Sequence, residues 1–263
     1  MTQVQGLRSL AAGWLDPVQA FRQATGNDPL AWQVPYLRET RDTVNLKGRQ
    51  VGASTCGGVL AVRVARLRPR TLSLIVSPSL KQSTEVKEKA RGGLLRMKVG
   101  LVRDSQDTLE LANGSRIVSL PGSPKAVRGW SADFLIIDEA AFIDPETFLA
   151  ARATVAATGG RVIVQSTPAG PYGHFFDLWE EAGLAGSRWA RYSVSSEDCP
   201  TIDPAFLASE RDELSEEDYA QEYLGRFRAG GLGLVDPAKM RAAIQPPAEG
   251  APESVWDRLR AAP

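Results

Sequence analysis

Between Thr43 and Val194 the chain alternates short apolar runs with segments whose apolar residues recur at helical spacing. Thr43–Leu46 reads as a strand and, after a glycine-containing loop, Ser54–Arg68 as a helix with Leu60, Val64 and Leu67 on one face. An apolar strand at Leu72–Val76 and a polar helix from about Leu80 to Leu95 repeat the unit. Thr108–Leu111 and Arg116–Leu120 flank Asn113-Gly114, a strong hairpin signal. Phe134–Ile137 is apolar at every position; helix Pro145–Ala157, strand Val162–Val164, helix Phe175–Ala182 and strand Trp189–Val194 continue the alternation. Strands apolar throughout and interleaved with helices predict an α/β three-layer sandwich, a central mostly parallel sheet covered on both faces.

The ends of the chain break this rhythm. Residues 1–40 read as short helices around Trp14, Phe21, Trp32 and Tyr36, interrupted by Gly26, Pro29 and Pro35. Residues 203–228 read as two acidic helices, and 236–263, rich in Pro, Ala and charge, as a linker. The expected organisation is a core over 1–195 that includes the N-terminal helical segment, a small helical lid over 196–235, and a tail over 236–263.

Composition narrows the classes. With 263 residues and 43% hydrophobic content a full core can form. Lysine plus arginine and aspartate plus glutamate balance at 31 each, so any nucleic-acid contact must come from a local patch. The locally basic stretch is Lys81, Lys87, Lys89, Arg91, Arg96 and Lys98, read first as a solvated helix face. Cys56 and Cys199 have no second cysteine or histidine at metal-ligand spacing, which favours a reducing compartment and no zinc. No signal peptide and no run approaching the roughly 20 apolar residues of a membrane span is present, so a cytoplasmic protein is expected.

Two segments carry chemistry. Lys47-Gly48-Arg49-Gln50-Val51-Gly52-Ala53-Ser54-Thr55 lies between a predicted strand and a predicted helix, where backbone N–H groups and the helix N-terminus can cradle phosphates. The pattern G-x-x-x-x-G-K-[ST] would put lysine at Ala53. Lys47, entering from the strand end, could reach the same phosphate oxygens, and Arg49 competes for that role. Ser54 stands where a hydroxyl ligates Mg²⁺, with Thr55 as a neighbouring substitute. About 90 residues later the strand Phe134–Ile137 delivers two acids, Asp138 and Glu139, to the sheet edge. The first can hold Mg²⁺ and the second can polarise an attacking water.

Taken together, the segments over roughly residues 30–230 resemble, in order and spacing, a P-loop NTPase of the RecA-like type: the ATPase domain of large terminase subunits, the viral DNA-packaging motors. Trp32-Gln33 resembles the adenine-reading element, with Trp32 or Tyr36 packing nearby, and the 47–55 loop resembles variant phosphate loops with lysine at the start. Ser77-Pro78-Ser79 with Gln82 resembles the segment after the second strand. Arg128-Gly129 resembles the arginine motif that inserts into a neighbouring subunit's site, and Ser166-Thr167-Pro168, followed by Gly170, Gly173 and Phe175–Trp179, the coupling motif. Tyr219–Phe227 resembles the end of the ATPase region. The resemblance implies ATP hydrolysis with Mg²⁺ and translocation of double-stranded DNA. It also implies a monomer in solution that becomes a ring on the capsid, partners in the portal protein and small terminase subunit, and a place in the host cytoplasm.

No nuclease activity is expected from this chain, because Asp212, Glu213, Glu216, Glu217 and Asp218 read as a solvated face. His174, the only histidine, reads as a packing residue. Alternatives are a catalytically degenerate scaffold module, marked by Ala53, and a fragment of a helicase-like ATPase.

Overall fold

The computed structural model describes residues 14–228. In chain order the helices are α1 (Pro17–Thr25), α2 (Gln33–Arg38), α3 (Ala53–Leu67), α4 (Leu80–Arg96), α5 (Pro124–Val127), α6 (Pro145–Ala153), α7 (His174–Ala182), α8 (Pro204–Glu213) and α9 (Glu216–Glu222). The strands are β1 (Thr43–Lys47), β2 (Leu72–Ser77), β3 (Leu101–Asp104), β4 (Thr108–Leu111), β5 (Arg116–Pro121), β6 (Phe134–Asp138), β7 (Arg161–Ser166) and β8 (Ala190–Val194). They form one sheet in the order β3-β4-β5-β2-β6-β7-β1-β8, parallel from β5 to β8 and antiparallel where β3 and β4 extend one edge.

Register explains why the central strands are mostly apolar. Successive side chains of a strand face opposite ways, so a sheet covered on both sides needs apolar residues at every position. Ile75, Phe134, Ile136 and Ile163 face a layer made by α1 to α4, packing with Phe21, Leu37, Val59, Leu60, Val86 and Leu94. Leu74, Val76, Leu135, Ile137, Val162 and Val164 face the opposite layer, where α6 and α7 contribute Phe148, Phe175, Leu178 and Trp179. Each such side chain contributes about 1.5–3 kcal/mol through burial. The sheet is therefore the rigid platform on which the strand ends present polar groups.

Local signals set the element ends. Asp16 caps α1 by accepting from Val18 N at 3.0 Å, and Gly26 closes it in the left-handed region at φ 76°. Ser79 and Gln82 form a capping box that starts α4, which is what the Ser77-Pro78-Ser79…Gln82 segment does structurally. Asn113-Gly114 makes the expected hairpin turn, with Gly114 at φ 79°. Three elements differ from the sequence reading. β3 was not expected: Leu101–Asp104 is a mostly exposed edge strand with a polar half, held to β4 through an irregular register. The short α5 was not expected either. α6 stops at Ala153 instead of Ala157, because Thr154 Oγ1 donates to Ala151 O at 2.7 Å and the chain turns through Gly159 at φ 62°.

Two further features bear on the site. α8 and α9 belong to the same compact unit as the sheet, which runs to Arg228. The locally basic stretch is partly internal: Lys87 is buried, donating to Ser105 O at 2.7 Å, and Arg91 pairs with Asp104 at 2.7 Å. Residues 1–13 and the tail 236–263 lie outside the described residues.

Candidate nucleotide site at the strand ends

β1 runs one residue further than its apolar pattern suggests, so Lys47 is its last residue and is nearly buried. The loop then turns through Gln50 at φ 58° and Gly52 at φ 86°, the left-handed region, and α3 starts at Ala53. Its first main-chain bond beyond the loop is Cys56 N to Gly52 O at 3.2 Å, so the amides of Ala53, Ser54 and Thr55 have no acceptor within the helix. These free donors and the positive end of the helix favour an anion. A cavity of about 270 Å³ lies over them, lined by residues 47–55 except Arg49, together with Lys89 of α4.

The acids arrive on β6, separated from β1 by one intervening strand, β7. Asp138 ends the strand on the same face as Ile136; a regular continuation would send Glu139 to the other face. Instead Glu139 has φ 51° and ψ 44°, the left-handed region, which costs a non-glycine residue about 1–3 kcal/mol. That turn aims its carboxylate at the loop. Lys47 Nζ donates to Glu139 Oε1 at 2.6 Å, and Ser54 Oγ donates to Asp138 Oδ2 at 3.4 Å. The loop and the acid pair thus meet twice, once through charge and once through a hydroxyl.

β7 supplies a clamp from between them. Gln165 Nε2 donates to Asp138 Oδ1 at 2.9 Å. Ser166 Oγ and Thr167 N approach Glu139 Oε2 at 3.4 Å each, long and weak contacts that orient more than they bind. Burial pushes the Asp138 carboxyl up, and the adjacent Glu139 adds to this, while Lys47 and the Gln165 hydrogen bond pull it back.

Other residues singled out in the sequence fall into three groups. Trp32 and Gln33 reach the loop from α2: Trp32 packs with Val51, Ala53 and Cys199, and Gln33 is buried. The Gln33 amide accepts from Leu30 N at 2.9 Å, and its Nε2 lies 2.7 Å from where a Cβ on Gly52 would stand. In this state it braces the loop. Arg49, the competitor of Lys47, turns outward to the carboxylate of Glu222 on α9. Arg128 is not at the site: it is 65% exposed and pairs with Glu146 of α6 at 2.6 Å. His174 packs on Phe148, with Nε2 donating to Ala140 O at 2.8 Å, a structural role.

Besides Gln165, two contributors went unread in the sequence. Lys89 was only part of a basic helix, with nothing to show that it borders the phosphate loop. The other is the grip of the 194–225 region on that loop. Gly48 N donates to Val194 O at 2.8 Å, Arg49 N to Glu222 O at 2.9 Å, and Ser196 Oγ to Arg49 O at 2.7 Å. A Cβ on Gly48 would stand 2.3 Å from Tyr223 O, so only glycine fits there. A larger cavity of about 600 Å³, lined by Cys199, Ile202, Leu207, Arg211 and Tyr219, lies under α8 and α9 and does not include the phosphate loop.

A glycine-bearing loop after β1 and an acid pair on β6, with one strand between them, sit at the strand ends of an α/β three-layer fold. Residues 44–235 match the family described as terminase large subunit, T4likevirus-type, N-terminal, and the chain belongs to that family. Its fold is similar to that of the ATPase domain of the Thermus phage P74-26 large terminase, with a TM-score of 0.71 at 21% identity over 81% of this chain and 99% of that one. It is also similar to the HK97 bacteriophage large terminase, with a TM-score of 0.68 at 12% identity over 81% of this chain and 55% of that one. The large terminase of a thermophilic bacteriophage in complex with ADP matches with a TM-score of 0.63 at 11% identity, over 82% of this chain and 53% of that one. The chain thus spans about half the length of these last two proteins. As a member of its family it is an ATPase domain serving phage genome packaging.

Proposed function

We propose that this domain hydrolyses ATP to ADP and phosphate with Mg²⁺ and drives double-stranded DNA translocation as one of a ring of copies. The observation that carries the reading is the double convergence of loop and acids, Lys47 on Glu139 and Ser54 on Asp138. The phosphates lie over the 48–55 loop on the free amides of Ala53, Ser54 and Thr55, and Lys47 leaves Glu139 for them because a triphosphate carries more charge than one carboxylate. Release of Lys47 frees Glu139 to orient water for in-line attack. Arg49 is committed to Glu222, so Lys47 replaces the lysine absent at Ala53. Trp32 and Gln33 border the base, Gln33 exchanging its bond to Leu30 for the base edge. Ser166 and Thr167 sense the change at Glu139 and pass it on through β7.

Ser54 and Asp138 offer two hard oxygen ligands close together, the set Mg²⁺ takes when substrate phosphates complete its shell. The ion would neutralise charge on the phosphates when bound. Arg128, exposed and held only by a surface ion pair, is available to complete a neighbour's site, where a cation can raise turnover by about 10³–10⁵. We assign residues 196–235, of which 196–228 are described, the part of a lid. The partners of this reading are further copies of the chain, the portal protein, the small terminase subunit and DNA, in the host cytoplasm. Among the described residues no helix is long and apolar enough to cross a membrane. The described residues contain no group of three or more His, Cys, Asp or Glu side chains able to share metals, and the proposal gives them no nuclease chemistry.

Steady-state ATP hydrolysis with Mg²⁺, measured over a wide range of protein concentration with Glu139→Gln as the blank, tests the reading. Activity should rise faster than linearly and vanish in the variant. Mixing Arg128→Ala with Glu139→Gln protein should restore part of it. Activity that is linear in concentration removes the arginine in trans, and activity surviving in Glu139→Gln removes the catalytic assignment.

A further inference from the structure

We propose that Gln165 is a positioning residue that holds Asp138 in its working orientation, and that Tyr36 sets which way the Gln165 amide faces. The inference rests on the ATP and Mg²⁺ reading above. It starts from a polar row across the middle of an otherwise apolar sheet face. Paired registers align Asp138 with Gln165, Gln165 with Asn45 and Asn45 with Tyr192, on the face that carries Ile136 and Ile163 one step earlier. Gln165, Asn45 and Tyr36 are fully buried and Asp138 is 5% exposed. Water cannot serve these groups, so their bonds must be found inside.

The donor and acceptor chemistry fixes the chain of bonds. An ionised carboxylate only accepts, so the atom of Gln165 that lies 2.9 Å from Asp138 Oδ1 is its NH₂ group. Its carbonyl oxygen then points at Tyr36, whose hydroxyl donates to it at 3.1 Å. With Oδ1 held in this way, Asp138 presents Oδ2 to Ser54 across the site. A competing partner for Gln165 stands next to it. Asn45 is its neighbour in register, and both atoms of its side-chain amide lack a hydrogen-bond partner. A buried amide left with no partner is costly, so Asn45 would take the Gln165 amide if Tyr36 did not hold it on Asp138. Tyr36 lies on α2 with Trp32 and Gln33, so the helix bordering the base also bears on the carboxylate proposed to hold the metal.

The test measures the affinity of the intact chain for a fluorescent ATP analogue twice, with Mg²⁺ and with EDTA. The ratio of the two is the gain due to the metal. Gln165→Met keeps the volume and removes the donor; Tyr36→Phe keeps the ring and removes the hydroxyl. A donor to a buried carboxylate is among the stronger hydrogen bonds, so Gln165→Met should cut the gain by about tenfold or more, and Tyr36→Phe by about threefold. Both should leave the affinity in EDTA within about twofold of wild type, since the loop amides are untouched. Should Gln165→Met fail to fold, Tyr36→Phe decides alone. A gain retained in full by the variants that fold overturns the inference while leaving the ATP reading intact. Equal losses with and without Mg²⁺ also overturn it, because they mark a structural role only. A wild type with no gain from Mg²⁺ overturns the metal assignment, and this inference with it.

Discussion

The 47–55 loop and the acid-bearing end of β6 meet through the Lys47–Glu139 and Ser54–Asp138 contacts, yet they are held by opposite means. Asp138 and Glu139 are fixed from within: Gln165, Ser166 and Thr167 of the adjoining strand reach them with side chains and one amide, in register with the sheet. The loop is fixed from outside largely by main-chain atoms, Val194 O and Glu222 O, with Tyr223 O filling the space where Gly48 has no side chain and Ser196 Oγ adding a bond to Arg49 O. The acids therefore share the stability of the core, while the loop's shape depends on a small helical segment. Local free energies of opening differ in the same way, high for central strands and low for segments with few apolar contacts.

The largest expected effect separates the loop's two basic residues. Lys47→Ala should lower kcat/KM for ATP by about 10²–10³, the range for one preorganised cationic or hydrogen-bonding group, while Arg49→Ala stays within tenfold. Equal losses would break the distinction between an inward and an outward cation. Next, Gly48→Ala should destabilise the protein by about 1–3 kcal/mol, because the new Cβ would stand 2.3 Å from Tyr223 O, a main-chain atom that cannot swing aside. Limited proteolysis of that variant should cut first within 196–228, and protection there would sink the idea that the loop and the helices hold each other.

A smaller effect has a definite sign. Burial raises the Asp138 carboxyl, so the folded chain holds that proton more tightly than the unfolded chain. Stability from this group is complete below about pH 4, the ordinary aspartate range, and is lost as pH rises through the raised value. In EDTA, Asp138→Asn should therefore be more stable than wild type at neutral pH, with the difference vanishing toward about pH 4 in thermal melts. A variant less stable than wild type at pH 7 would show that Lys47 and Gln165 outweigh the burial. The smallest effect sharpens the loop side: Lys89→Ala, at the rim of the cavity, should raise KM for ATP by about threefold with kcat unchanged, read from steady-state kinetics.

Much of this was legible in the sequence because the sheet's requirements are simple. A short apolar run ending in two acids, set between segments of helical spacing, reads as a buried strand reaching an edge, and a glycine-bearing loop before a helix with an apolar face leaves free amides. The family match and the sheet order agree with that reading. What stayed hidden depends on contacts distant in sequence. Gln165 lies just past the strand read as Val162–Val164, and only its register with Asp138 makes it a partner. The left-handed backbone of Glu139 has no signal, since glutamate is not a residue expected there. β3 is half polar and exposed, so its pattern resembled a loop.

The grip on the phosphate loop has a consequence for variation. The atoms that hold the Gly48 and Arg49 amides are the carbonyl oxygens of Val194 and Glu222, which every amino acid supplies, with Ser196 Oγ adding one side-chain bond to Arg49 O. Side chains on the outer faces of α8 and α9 can drift widely without loosening it. Length cannot: removing or adding one residue between Val194 and Glu222 would displace the Glu222 carbonyl from the Arg49 amide while Val194 stays fixed on β8. Tolerance to substitution combined with intolerance to insertion is therefore the pattern that a deep mutational scan of this segment should record.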